Sequence, residues 1–283
     1  YPVVVHNRSR SAVKELVSEG AIEAFSPTEV ASQVDVVFTN LPDSPDVEEV
    51  VLGENGIIFG SHPGLIFVDN STIKPAVSRI IAEKLNEVGI SALDAPVSGG
   101  DIGAKNATLT IMVGGPAEAL ETVRPVLEKC GKTITHIGDS GSGQISKAAN
   151  QIMCVAQLVA LSELLIFAQK AGADPQKVVE AIKGGAAQCW ALDVKPQRLF
   201  AGNRQPGFRS ALQLKDLNIV MDTAKEYGIP LPSAATDTQL FRALVENGKG
   251  DLDNSAVITV LEQLSGIHLA EPLVKNKTGD NEK

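Results

Sequence analysis

The 283-residue chain is poor in cysteine, in aromatic side chains and in positive charge, and each shortage removes a class of function. Its three cysteines, Cys130, Cys154 and Cys189, are odd in number and widely spaced, with no C-x-x-C pair. They fit reduced thiols in a cytosolic protein and not a disulfide framework. Aromatic residues make up 4% of the chain, 34 acidic residues outnumber 25 basic ones, and no basic run occurs. No nucleic-acid partner is expected, because neither a phosphate-binding patch nor a base-stacking platform can be assembled. The four histidines, His6, His62, His136 and His268, show no ligand spacing, so no metal is expected. The most apolar run, 152–168, falls short of the roughly 18 residues of a membrane span and contains Glu163, so no membrane is expected either. No signal-peptide pattern is visible at Tyr1. A cytoplasmic location follows, or an organelle if a targeting segment precedes Tyr1.

A hydrophobic content of 43% with 21% charged residues describes a soluble globular protein, and 283 residues suggest two domains. Residues 1–139 alternate short β-like runs with helical patterns. Pro2 to His6, Val34 to Thr39, Gly64 to Asp69, Ile90 to Leu93 and Thr108 to Val113 read as strands, with helices between them. Ser26-Pro27-Thr28-Glu29 is a capping-box helix start. This alternation implies βαβ units and a mainly parallel sheet. Beyond Gly143 the pattern is helical. The expected fold is an α/β Rossmann-type domain over 1–139 and an all-helical substrate and oligomerisation domain over 140–283.

The two are joined by one long helix, predicted from Gln144 to Ala171, where neither Pro nor Gly occurs. At about 1.5 Å per residue it is a rod on the order of 40 Å. Its middle is apolar nearly all round, which predicts burial against a second subunit as well as against its own domain. Gly266 onward would then lie beside that partner, and the polar tail from Glu271 would be frayed. The first turns of the helix are polar. Lys147, Asn150 and Gln151 stand at i, i+3 and i+4 and so share one face. A lysine at the end of an otherwise buried helix is solvated, paired or catalytic.

In open parallel sheets, ligands bind outside the carboxyl ends of the strands. Three polar clusters fall there: Asn7-Arg8-Ser9-Arg10, Leu41-Pro42-Asp43-Ser44 and Asn70-Ser71-Thr72. Asp94-Ala95-Pro96-Val97-Ser98-Gly99-Gly100 also follows a strand, and a hydroxyl before two glycines can offer side-chain and backbone donors to a carboxylate. Each is equally readable as an ordinary polar loop; their joint placement favours a ligand site. No acidic residue occurs between His6 and Lys14, while Arg8 and Arg10 supply fork-shaped donors. In a dinucleotide fold whose second strand is Pro2 to His6, an arginine at that strand's end suits the 2′-phosphate of NADP(H), whereas an acidic residue would suit NAD(H). The sequence therefore predicts a preference for NADP(H), with NAD(H) as the alternative.

Taken together, Asp94 to Gly100, Leu109-Thr110-Ile111-Met112-Val113-Gly114-Gly115, Gly143-Gln144-x-x-Lys147-x-x-Asn150-Gln151 and Leu214-Lys215-Asp216-Leu217 resemble the β-hydroxyacid dehydrogenase family. The resemblance covers essentially the whole chain, in the family's order. It implies that Lys147 is the catalytic lysine and that Ser98, Gly99, Gly100 and Asn150 hold the substrate. By the same resemblance, Leu41, Pro42, Asp46 and Thr72 line the cofactor, beside Asn7, Arg8 and Ser9, and Lys215 reaches toward its nicotinamide end. It further implies a homodimer or homotetramer acting on a short β-hydroxy acid or its semialdehyde. The family opens with a strand and a G-x-G-x-x-G loop about 25 residues ahead of the second strand. Here Tyr1 already belongs to the approach to that second strand, and the intact catalytic motifs point to an incomplete record of a longer protein and not to a degenerate copy.

Within the family, Gly53 to Ile57 and Pro206-Gly207-Phe208 favour 2-hydroxy-3-oxopropionate (tartronate semialdehyde) reductase over 3-hydroxyisobutyrate dehydrogenase and the glyoxylate/succinic semialdehyde reductases. A 6-phosphogluconate dehydrogenase would be longer and, by resemblance, would carry His where Ala149 stands. An imine reductase usually lacks the lysine. A non-catalytic oligomeric scaffold is the reading of another class, should the phosphate-binding loop be truly lost.

Overall fold

The computed structural model describes residues 1–269, in two compact units, Tyr1–Asn150 and Gln151–Lys283. The division falls inside the long helix, because its first two turns pack with the sheet domain.

The first unit begins with β1 (Val4–Val5), α1 (Arg10–Ser18), β2 (Ile22–Glu23), α2 (Pro27–Ala31), β3 (Val36–Thr39), α3 (Ser44–Leu52) and α4 (Ile57–Gly60). It continues with β4 (Ile66–Asp69), α5 (Pro75–Glu87), β5 (Ser91–Asp94), β6 (Val97–Ser98), α6 (Gly100–Lys105), β7 (Leu109–Gly114), α7 (Ala117–Leu127) and β8 (Gly131–Gly138). The helix starts follow the sequence chemistry. Ser26 caps α2 by accepting the N–H of Glu29 at 3.1 Å, and the Glu29 carboxylate accepts the N–H of Phe25 at 2.7 Å.

β3, β4 and β5 run parallel and in register, so Thr39, Asp69 and Asp94 stand side by side at their carboxyl ends. Both faces of this sheet are covered. Phe67 packs with Val37, Val51, Ile81 and Leu85, while its neighbour Val68 packs with Leu93, Ile111, Val113 and Leu120. Alternate side chains thus enter opposite cores, which is why β4 reads as an unbroken apolar run. The sheet is less uniformly parallel than the alternation predicts. β7 is antiparallel to β5 and β6 and parallel to β8. β2, β6, α6 and β8 are absent from the sequence reading, since two of them span only two residues and β8 carries alternating Lys, Thr and His side chains.

β1 does not join this sheet. Among the described residues it pairs with β2 alone, in a separate two-stranded parallel sheet, and β3 pairs with β4 alone. Between β1 and β3 lies a cleft of about 1540 Å³, lined in part by Val4, Val13, Val37, Leu41 and Val126. Ile22–Glu23, unrecognised in the sequence, covers one side of β1, and the cleft separates it from β3.

The second unit takes up α8 (Ser142–Lys170) at Gln151 and adds α9 (Pro175–Ile182), α10 (Trp190–Val194), α11 (Pro196–Phe200), α12 (Ser210–Glu226), α13 (Pro232–Leu244) and α14 (Ile258–Ser265). A π turn, Val245–Lys249, and a 3₁₀ turn, Asn254–Val257, connect the last two. Their core gathers around Val155, Leu158, Leu165, Leu217, Phe241 and Ile258. By length and composition α8 could cross a membrane; half of its apolar window is buried within the chain itself. Of the segment expected outside the core, residues 266–269 do not lie there: Leu269 is buried in the core, Ile267 packs against it, and the His268 carbonyl accepts the side-chain amide of Gln169 at 2.7 Å. The tail expected to fray lies outside the described residues.

A buried ion pair fastens the helical unit. Lys195 Nζ lies 2.8 Å from Asp253 Oδ1 and donates to Asn254 Oδ1 at 2.9 Å. Asp253 also accepts from Ser255 Oγ at 2.6 Å and, through Oδ2, from the N–H of Gly207 at 2.9 Å. Burial alone would raise the pKa of Asp253, but the hydrogen bonds from Lys195 and Ser255 outweigh it and hold the carboxyl at about 2. Its contribution to stability is therefore present above the ordinary carboxylate range and is lost only as pH falls toward 2. Asp253→Ala leaves Lys195 charged and buried without its partner. It should lower the unfolding free energy by about 3–5 kcal/mol, read from the denaturation midpoint at pH 7.

Candidate active site

The carboxyl ends of β3, β4 and β5 are tied to one another. Asp69 Oδ1 accepts the Thr39 hydroxyl at 2.8 Å and the N–H of Ser71 at 3.0 Å, and Ser71 Oγ accepts the N–H of Leu41 at 2.8 Å. Ser44 Oγ in turn accepts the N–H of Lys74 at 3.1 Å. The loops carrying Leu41–Pro42 and Thr72 are thus held by buried hydrogen bonds between neighbouring strands.

The start of α8 packs on the same strand ends. Asp94, at the end of β5, accepts the N–H of Gly141 at 2.7 Å and that of Gln144 at 2.9 Å. The Gln144 amide donates to the Ser71 carbonyl at 2.8 Å and accepts the N–H of Ile73 at 3.2 Å. One turn later Lys147 is 7% exposed, and its Nζ donates to the Val97 carbonyl at 2.8 Å. Val97 is bonded to Ser98. The lysine expected to be catalytic and the loop expected to bind substrate therefore meet, and Asn150 follows Lys147 by three residues on the same helix. Gly99 has φ +134°, and a Cβ there would stand 3.1 Å from the Leu109 side chain, so the loop turns into α6 only with glycine at this position.

The cleft between β1 and β3 gathers most of the residues expected at the cofactor. Asn7, Arg8, Leu41, Pro42 and Asp46 line it. Ser9 and Thr72 do not. Ser9 is exposed at the start of α1, where its N–H donates to Asn7 Oδ1 at 3.2 Å, and Thr72 lies in the loop beyond β4. These residues fit a dinucleotide: an exposed guanidinium at Arg8, carboxamide and main-chain polar groups at Asn7, and the apolar edge of Leu41–Pro42. Arg10 is committed elsewhere. It forms an ion pair with Glu23 and lies 5.0 Å over the Phe25 ring. The expectation that Arg10 is available to a phosphate is thus corrected. An acidic residue does stand near the end of β1, delivered by β2, and no local reading of residues 6–14 could show it.

Lys215 belongs to the helical unit, on α12. Its Nζ lies 2.8 Å from Asp216 Oδ1, and Asp216 Oδ2 accepts the Gln151 amide at 2.5 Å. Asp94, Gln144, Asp69 and Glu23 are the residues whose roles sequence reasoning missed. For Asp94 and Gln144 a signal existed: both lie in quoted motifs, one at a strand end and the other in the first turn of a helix. Among the described residues no group of three or more His, Cys, Asp or Glu side chains could hold a metal.

Residues 1–138 match the family described as the NAD binding domain of 6-phosphogluconate dehydrogenase, and residues 141–261 match the family described as NAD-binding of NADP-dependent 3-hydroxyisobutyrate dehydrogenase. The chain is 44% identical over 256 residues to 2-hydroxy-3-oxopropionate reductase of Escherichia coli (strain K12), covering 90% of this chain and 88% of the relative. It is 36% identical over 259 residues to 2-(hydroxymethyl)glutarate dehydrogenase of Eubacterium barkeri, covering 91% and 86%. A solved structure of 3-hydroxyisobutyrate dehydrogenase from Mycobacterium tuberculosis with L-serine superposes with a TM-score of 0.81 at 32% identity, covering 90% of this chain and 88% of that one. Relatives named as dehydrogenases and reductases leave no support for a non-catalytic scaffold. With a Rossmann-like domain, a helical domain and the motif residues Lys147 and Ser98–Gly100 at one place, this chain belongs to the β-hydroxyacid dehydrogenase family of NAD(P)-dependent oxidoreductases.

Proposed function

We propose that the chain interconverts a short β-hydroxy acid and its semialdehyde, with 2-hydroxy-3-oxopropionate (tartronate semialdehyde) as the substrate reduced. The observation that carries the reading is the bond from Lys147 Nζ to the Val97 carbonyl, which sets the ammonium beside Ser98–Gly100. The choice of substrate is supported by the 44% identity to the Escherichia coli reductase. The alternatives are 3-hydroxyisobutyrate and the glyoxylate or succinic semialdehyde substrates.

The nicotinamide, when bound, supplies or accepts the hydride. The chain's own residues handle binding and the proton. Ser98, Gly99 and Gly100 offer a hydroxyl and main-chain N–H groups to the substrate carboxylate, and Asn150 offers a carboxamide that cannot compete for the proton. Lys147 stabilises the developing alkoxide as an ammonium and donates its proton; in the oxidative direction the neutral amine accepts it. On the second unit, Lys215 is assigned to the nicotinamide end of the cofactor, restrained by Asp216.

For the cofactor we favour NADP(H) over NAD(H). Support comes from Arg8, exposed on the cleft, and it is narrower than the sequence implied because Glu23 holds Arg10. The enzyme is proposed to work in the cytoplasm as a homodimer or homotetramer. Met153 and Phe167, 59% and 76% exposed on α8, are the apolar surface that a second copy would cover.

Lys147→Ala should lower kcat about 10²–10⁴-fold at nearly unchanged cofactor KM, and Lys147→Arg should be almost as poor, because guanidinium does not give up its proton near neutral pH. Wild-type turnover in Lys147→Ala would end the assignment. Arg8→Ala should raise KM for NADPH far more than for NADH; a wild type that uses NADH at least as efficiently as NADPH contradicts the preference. Sedimentation at micromolar concentration should show a dimer or larger species, and a monomer would contradict the assembly.

A further inference from the structure

Asp94 is 5% exposed, and the lysine-based reaction proposed above makes no use of it. Its two oxygens are divided between two main-chain donors of the same helix start: Oδ1 takes the N–H of Gly141 and Oδ2 that of Gln144. A carboxylate gripped at both oxygens fixes rotation as well as distance. The backbone around it is at contact. A Cβ on Gly143 would fall 2.4 Å from the Asp94 carbonyl oxygen and 2.9 Å from Oδ2, and one on Gly114 would fall 2.5 Å from Oδ1. Side chains are thus excluded on both sides of the carboxylate, and β5, β7 and α8 meet with nothing between them.

The segment after Asp94 returns to the same helix. Val97, three residues on, takes the Lys147 ammonium at 2.8 Å, and Lys147 lies one turn beyond Gln144. Residues 94–97 are therefore laid along the first two turns of α8 and tied at both ends, directly before Ser98–Gly100. We propose that Asp94 is the positioning residue of this enzyme: its carboxylate sets the start of α8 against the end of β5, and so sets Lys147 relative to the substrate loop. This rests on the reading of Lys147 as the proton-transfer residue.

The charge of Asp94 gives the idea a second support. Burial, partly offset by the two N–H bonds and reinforced by Asp69 on β4, raises its pKa from 3.8 to about 6. The other charged side chains on elements meeting here are Asp139 before α8, Arg79 on α5, which packs at Gly141, and Lys147 itself. The folded chain holds the Asp94 proton more tightly than the unfolded chain, so this group's contribution to stability declines as pH rises from 3.8 to about 6. The ionised carboxylate is therefore kept at a cost in stability, and the neutral side chain nearest to it in shape is a carboxamide.

Asp94→Asn, made in the full chain, is that side chain. It keeps one acceptor and turns an NH₂ toward the other N–H. Its melting temperature at pH 8 should stay within a few degrees of wild type, with cofactor KM within about twofold. Its kcat should fall about 10–100-fold, the effect of misplacing a reacting group by about an ångström. The wild-type decline of kcat below pH about 6 should vanish in the variant. Gly143→Ala, which crowds the junction but leaves Asp94 an ionisable carboxylate, should reproduce the loss of kcat at unchanged cofactor KM. In the wild type, hydrogen-exchange protection of the Gly141 and Gln144 amides should fall as pH drops through about 6, while the rest of α8 keeps its protection. Asp94→Asn with wild-type kcat and a wild-type acid limb overturns the proposal, as do protection factors that do not change between pH 5 and 8. An inactive Lys147→Ala beside an unimpaired Asp94→Asn removes the positioning role and leaves the lysine's; a fully active Lys147→Ala removes both.

Discussion

A helix that starts inside a protein begins with N–H groups that water cannot reach, and the arrangement of this molecule depends on how those of α8 are met. Ser142 opens the helix, with Asp139 and Ser140 just before it, yet the N–H groups of Gly141 and Gln144 are met by none of these side chains. The acceptor comes from 47 residues earlier, at the end of β5. The same turns are also fixed sideways, because Gln144 closes two hydrogen bonds with the loop after β4. A lysine carried on such a helix has its Cα placed by the backbone, and the Val97 carbonyl then holds its ammonium. That is the form of preorganisation that electrostatic catalysis requires.

The second constraint is the shared register of β3, β4 and β5. Because Thr39, Asp69 and Asp94 stand abreast, one polar layer runs across the strand ends, and the loops that follow start from a common line. Loops at the ends of parallel strands are where ligands bind in this architecture. Here the hydrogen bonds among Thr39, Asp69, Ser71 and Leu41 make that surface continuous and rigid. The cores below it are apolar on both faces, so the buried carboxylates are confined to the rim.

Much of this was legible in the residues. The change from period-two runs to an unbroken helical pattern after Gly143 marks the two kinds of structure, and the spacing of Lys147, Asn150 and Gln151 marks the polar face. Helix starts with local caps, such as Ser26 and Asp174, could be read directly, since the capping oxygen lies within three residues of its donor. What could not be read were contacts made across sequence. Glu23 reaches Arg10 only because a two-residue strand pairs beside β1, and nothing about Ile22–Glu23 taken alone distinguishes it from a loop. The same applies to β8, where Lys132, Thr133, Thr135 and His136 are exposed on both faces and the alternation of a half-buried strand is lacking. Asp94 was quoted within a motif, yet its partners, Gly141 and Gln144, are set by folding and not by spacing.

Gln144 carries a consequence of another kind. Its amide is read in both directions, the NH₂ by the Ser71 carbonyl and the oxygen by the N–H of Ile73. Glutamate has the same length and shape and lies a single base change away in the genetic code. It would present an acceptor to an acceptor and bring a negative charge to within one turn of Asp94. Lysine, also one base away, would set a donor against a donor. At this position two replacements that a single base change can bring are therefore poorly tolerated by the chemistry. The residue should act as a filter on the drift of the gene, although its side chain takes no part in the reaction.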